Sequence, residues 1–142
     1  MSDAPATTIE LGGRRVEVMG EPGGEAAMAA VVAAVATHDA TCRRALAKAI
    51  GDEDSVGLYV RHHLEQLPGL AAELGIADPA APGRAGARAF LARMHLRSIW
   101  VDGEDDELEL RLDYTIDAAR TDHVVTVTLD RRGRAVDVEM ES

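Results

Sequence analysis

The stretch Leu108-Glu-Leu-Arg-Leu-Asp-Tyr-Thr-Ile116 places Leu108, Leu110, Leu112, Tyr114 and Ile116 at alternate positions, with Glu109, Arg111, Asp113 and Thr115 between them. Side chains of a pleated strand point alternately to its two faces, so this period of two predicts a strand with one apolar and one wet face. Val125, Val127 and Leu129 repeat the pattern. Asp130-Arg-Arg-Gly133 then reads as a turn into Val136, Val138 and Met140. With Leu96 to Val101 upstream, four consecutive strands on short connections predict a four-stranded antiparallel meander.

Working back, the pattern becomes helical. Ala87 to Met94 turns Phe90, Leu91 and Met94 to one side. Pro68 to Gly86 is rich in Ala, Gly and Pro and reads as a connector with a short helix near Leu70 to Leu74. Before it, Val56, Tyr59, Val60, His63, Leu64 and Leu67 have the i, i+3, i+4 spacing of a buried helical stripe, opened by Asp54 or Ser55 and stopped by Pro68. A stripe through Met28, Val31, Val32, Val35, His38, Cys42, Ala45, Leu46, Ala49 and Ile50 has no internal Gly or Pro and predicts one long helix from about 25 to 50. At the start, Thr8 to Val18 alternates on both sides of Gly12-Gly13, a two-residue hairpin signal. The first six residues read as a disordered tail, and 7–142 as one domain. The layout is a β-hairpin, three main helices and four strands, an α+β fold with helices on one sheet face.

The chain has 142 residues, a formal charge of -10 and only 3% aromatic residues. An aliphatic core is therefore expected, with Tyr59, Phe90, Trp100 and Tyr114 as packing anchors. Nucleic-acid binders need clustered basic residues to displace counterions, so DNA and RNA are unexpected partners. No apolar run approaches the roughly 20 residues that span a bilayer, and the first residues lack the basic and apolar regions of a signal peptide. A cytoplasmic location is expected, and the lone Cys42 agrees with a reducing compartment.

Tyr59-Val-Arg-His-His-Leu-Glu-Gln-Leu67, Phe90-Leu-Ala-Arg-Met-His-Leu96, Asp102-Gly-Glu-Asp-Asp106, Asp113-Tyr-Thr-Ile116, Thr121-Asp122 and Met140-Glu-Ser142 together give the chain a family likeness. It resembles the small bacterial proteins of the Domain of Unknown Function two thousand and four family. Trp100-Val101-Asp102 departs from the Tyr-Pro-Asp typical of that family. The resemblance implies that His62, His63, His95, Asp113, Tyr114 and the chain terminus belong to a shared pattern, and it carries no activity with it.

Several groups of residues bear on function. His38 and Cys42 have the i, i+4 spacing at which one helix offers two ligands to an ion, with His63 and His95 as potential additions. All the helical members lie on stripes that must be buried in any case. Adjacent residues on a helix point about 100 degrees apart. His63 is therefore expected to pack in the core and His62 to sit at the boundary, free to face a ligand. No nucleophile elbow and no phosphate-binding glycine loop is present. Asp102, Glu104, Asp105 and Asp106 lack calcium-loop spacing and read as a solvated loop; with Asp113 they build a negative surface that favours a basic partner. The leading expectation is thus a noncatalytic binding protein of immunity-like or accessory type, monomer or homodimer, without a cofactor. It would hold a basic protein through His62, His95, Asp102, Glu104, Asp105, Asp106, Asp113 and Tyr114. The alternative is a small metal-dependent or acid/base enzyme centred on His62, His63 and His95.

Overall fold

The structure, a computed structural model, describes residues 7–20, 25–103 and 107–141. The expected tail over 1–6 and the loop residues Glu104, Asp105 and Asp106 lie outside them. The chain runs β1 (Thr7–Leu11), β2 (Arg14–Gly20), α1 (Glu25–Ala33), α2 (Val35–Lys48), α3 (Val56–Gln66), α4 (Leu70–Glu73), α5 (Gly83–Arg93), β3 (His95–Asp102), β4 (Glu109–Thr115), β5 (Val124–Leu129) and β6 (Ala135–Glu141). The fold is α+β, and none of the described helices is long and apolar enough to cross a membrane.

The expectation of a four-stranded antiparallel meander is corrected. All six strands form one mixed sheet in the order β1-β2-β3-β4-β5-β6. The N-terminal hairpin joins it because β2 pairs in parallel with β3, from Glu17↔Ser98 to Gly20↔Val101, while the other neighbours are antiparallel. A parallel pair needs a long crossover, and the helices between β2 and β3 supply it. At Gly20, where φ is 118°, an added Cβ would lie 2.1 Å from the Val101 carbonyl oxygen. Only glycine lets the two backbones approach so closely there.

The helical reading also changes in detail. The long helix expected over 25–50 is broken at Ala34 (φ -102°, ψ 8°) into α1 and α2. Val31 and Val35, on the two sides of the break, are both buried. The β-branched residues Val31, Val32 and Val35 have restricted χ1 angles against a preceding helical turn, so local propensity does little to oppose a break that lets both helices reach the core. The short helix expected near Leu70 to Leu74 is α4, so the break at Ala34 is what turns the three expected main helices into four, five helices in all among the described residues.

The core fills the space between the helices and one sheet face. Leu96, Ile99 and Val101 of β3, Leu110, Leu112 and Tyr114 of β4, and Val125, Val127 and Leu129 of β5 all belong to it. Leu96 and Ile99 are three apart yet share this face because the register shifts between Leu96 and Ser98, a bulge that resets the alternation. Tyr59, Phe90 and Tyr114 are fully buried anchors. Trp100 is not: it pairs with Met19 and Arg111 on the opposite, open face. Strand alternation decided this, not side-chain size.

Candidate functional site

Helix α3 carries the first part of the site. Tyr59, Val60, His63 and Leu64 are buried along one stripe, while His62 is half-buried. The expected division into a core histidine and a boundary histidine is what this geometry gives. Tyr59 fixes the helix to the sheet. Its hydroxyl donates to the His123 carbonyl at 2.8 Å and accepts from the Ile116 amide at 3.1 Å. One side chain thus ties the end of β4 to the start of β5, and it places His123 beside the histidine pair.

The loop between those strands is built on Asp117. Its side chain accepts from the Ala119 amide at 2.9 Å, and its backbone carbonyl accepts from Arg120 and Thr121. The Arg120 guanidinium bonds Asp117 at 2.9 Å and reaches both oxygens of Glu73 on α4 at 3.1 and 3.2 Å. The side-chain bond from Arg120 holds the Asp117 carboxyl below the usual range. So fastened, the loop presents Thr121 and His123 to α3.

Ligand nitrogens of His62, His63 and His123 lie within 4.8 Å of one another. The ring centroids are 5.0 Å apart for His62 and His63, and 4.9 Å for His62 and His123. The hydrogen bonds assign tautomers. His63 Nδ1 is 2.8 Å from the Tyr59 carbonyl, which can only accept, so Nδ1 carries the proton and Nε2 holds a lone pair. Thr121 Oγ1, 2.9 Å from His63 Nε2, therefore donates its one hydrogen there. That hydroxyl also accepts from the His123 amide at 3.1 Å. It lies 3.3 Å from His123 Nδ1, which must be protonated to make that bond and leaves His123 Nε2 unprotonated. Burial pushes the His63 imidazolium down to a pKa of about 4, so this ring is neutral at pH 7. A backbone carbonyl that orients a neutral imidazole through its far nitrogen is the usual support for a metal ligand, and the Thr121 hydroxyl hydrogen must turn away from His63 Nε2 before that lone pair can take a metal.

The rings border an open pocket of about 410 Å³, also lined by Gln66, Leu67 and Asp122. Zinc–nitrogen bonds of about 2.0–2.1 Å in tetrahedral geometry put ligand nitrogens about 3.3 Å apart. The ligand nitrogens would therefore have to close by at most about 1.5 Å, and His62 and His123 are the half-buried members of the three.

Other residues singled out in the sequence lie elsewhere. His38, Cys42 and His63 are not gathered into a metal site among the described residues. His38 lies toward the β5–β6 turn, within 4 Å of the Cβ position at Gly133. The Cys42 thiol is buried and pushed up to about 12 by desolvation, which suits packing and not ligation. Tyr114 is buried, and its hydroxyl donates to Asp39 at 2.5 Å. His95 lies apart from the histidine cluster, half-buried, with Nδ1 enclosed and without a partner. Asp102 is paired with Arg111 at 2.8 Å. Asp113 is on the open sheet face, where it accepts from Ser98 and Thr126. The residue that sequence reasoning missed is His123. Its only local signal was an imidazole just before an alternating strand, and nothing in the spacing linked it to His62, 61 positions earlier.

Compared with protein-family models, with curated proteins and with solved structures, the chain matches none.

Proposed function

We propose that the protein binds one transition-metal ion of the zinc class through His62, His63 and His123. The observation that carries this reading is the convergence of three imidazoles, with the His63 tautomer set by the Tyr59 carbonyl. Imidazole donors suit zinc, copper, nickel and cobalt, whereas magnesium and calcium prefer oxygen. Three protein ligands leave a fourth coordination position toward the pocket. In zinc sites of that composition, a bound water is acidified enough to act as a nucleophile near neutral pH. Metal-assisted hydrolysis is the chemistry the arrangement supports, with His123 in the place first given to His95.

Calorimetric titration of untagged, chelator-stripped protein with zinc, and visible spectroscopy with cobalt, test the reading. One equivalent of zinc is expected to bind, with affinity falling at least about tenfold in His62→Gln and in His123→Gln. Absence of saturable binding in the wild type, or wild-type affinity retained in both variants, would refute it.

A second reading, a surface for a basic protein, draws support from the open sheet face. Glu17, Ser98, Asp113, Thr126 and Glu139 stand opposite one another in a single row across β2 to β6. Thr126 Oγ1 lies 2.7 Å from Asp113 and 2.6 Å from Glu141, yet it has one hydrogen for two carboxyl groups. The hydrogen bond that a protonated Glu139 donates to the Asp137 carboxylate, together with the charge of Asp137, pushes the Glu139 carboxyl up. An arriving lysine or arginine would supply the missing donor and relieve the repulsion. Fluorescence of Trp100, in the adjacent row, reports such docking: a basic peptide should shift it at low salt, and a spectrum unchanged by the peptide would count against this face.

A further inference from the structure

The sheet end that begins β2 and β3 carries a second pocket of about 400 Å³, lined by Arg14, Asp39, Arg43, Arg93, Met94 and His95 among others. Three guanidinium groups and an imidazole face a single carboxylate there, in a chain whose formal charge is -10. These groups do not cancel one another.

Arg43 is part of the frame. It donates to the Met94 carbonyl at 2.8 Å, lies 3.4 Å from Asp39, and stacks over the Tyr114 ring at 5.2 Å. Its charge is the one that Asp39 offsets. Arg93 has only a share in Glu73, at 3.4 Å, because Arg120 already holds both oxygens of that carboxylate. Arg14 is exposed, and its side chain has no hydrogen bond or ion pair among the described residues. His95 completes the group, its proton affinity lowered first by burial and then by the charge of Arg14, with Asp117 acting the other way and Arg43 adding a smaller lowering. Its Nδ1 is the one buried ring nitrogen without a partner among the described residues.

We infer that this pocket binds an oxyanion of the phosphate type, free or carried on a larger molecule, with Arg14 and Arg93 as its principal ligands and Arg43 and His95 as its floor. Guanidinium forks match the paired oxygens of such groups, and two cations without dedicated partners at the mouth of one concavity attract a dianion more than any isolated surface arginine does. Gly12, at the turn of the β1–β2 hairpin, also borders the pocket. Its φ of 59° belongs to a left-handed turn that starts β2 beside the pocket and so brings Arg14 to the rim. The inference is independent of the metal reading, since it uses none of the three clustered histidines.

The test is a titration of chelator-stripped protein with inorganic phosphate and with phenyl phosphate at constant ionic strength, followed by backbone amide NMR. Saturable shifts centred on residues 12–14 and 93–96 are expected, weakened about fivefold or more in Arg14→Gln and in Arg93→Gln. They should be unchanged in Arg132→Gln, an exposed arginine outside the pocket. Tighter binding of phenyl phosphate would support an anion carried on a larger molecule, and equal binding a free one. Shifts that do not saturate, or that persist undiminished in both pocket variants, would overturn the proposal. The same titration on His123→Gln, which lacks the metal cluster, should give the wild-type result. Loss of phosphate binding in that variant would also overturn an independent site.

Discussion

Acid should destabilise this protein through His63 in particular. The ring is 1% exposed and is held neutral by desolvation, with its folded-state pKa at about 4 against an ordinary 6.5. Because the folded value is depressed, the unfolded chain binds a proton first as pH falls, so unfolding is favoured progressively from about pH 6.5 down to about pH 4. Above that window His63 contributes no pH dependence, and below it the loss is complete. The shift from 6.5 to about 4 corresponds to a total of roughly 3 kcal/mol at 1.36 kcal/mol per unit. By about pH 4.5 some 2.5 kcal/mol of it is lost. The assay is urea denaturation followed by far-ultraviolet circular dichroism at half-unit pH steps, on the wild type and on His63→Gln. The glutamine side chain packs less well and lowers stability at pH 7.5, but the variant's curve should be flatter than the wild type's by close to one proton between pH 4.5 and 6. Parallel curves for the two proteins in that window would refute the reasoning, because the buried imidazole would then not be the group that resists protonation.

Tyr59→Phe should cost about 2–4 kcal/mol, measured by the same denaturation, since the buried Ile116 amide and the His123 carbonyl both lose their partner. It should also weaken zinc binding, because the loop that carries His123 is released. Cys42 should resist a disulfide exchange reagent at pH 8 in the folded state and react at once in urea, since burial both hides the thiol and keeps it protonated. A fast reaction under native conditions would contradict the buried position. Trp100→Ala should change stability by less than about 1 kcal/mol, whereas Phe90→Ala, which empties a fully buried site, should cost about 3–5 kcal/mol on thermal or urea unfolding.

Legibility followed the range of the interactions. The alternation of Leu108 to Ile116 and of Val125 to Leu129 predicted β4 and β5, because strand faces are written at a period of two. The hairpin around Gly12-Gly13 was equally local. The parallel pairing of β2 with β3 was not, since its partners are about 80 residues apart and nothing in either strand specifies the neighbour. The break at Ala34 was not legible either, because no Gly or Pro marks it; it serves tertiary packing against a helical pattern that runs through it.

The site divides in the same way. Helical spacing alone assigned His63 to the core and His62 to its edge, because a rotation of about 100° per residue separates adjacent side chains. Tertiary structure alone brought in His123, through the Tyr59 hydroxyl that binds the ends of two strands to a helix. It also separated His95 from the pair and set it among arginines drawn from β2, α2 and α5. The sequence by itself determined the periods of the strands and helices, the acidic balance and the aliphatic core. Which histidines meet, and which arginines gather at one pocket, was decided by sheet order and helix packing, because contacts between distant segments exist only once the chain has closed on itself.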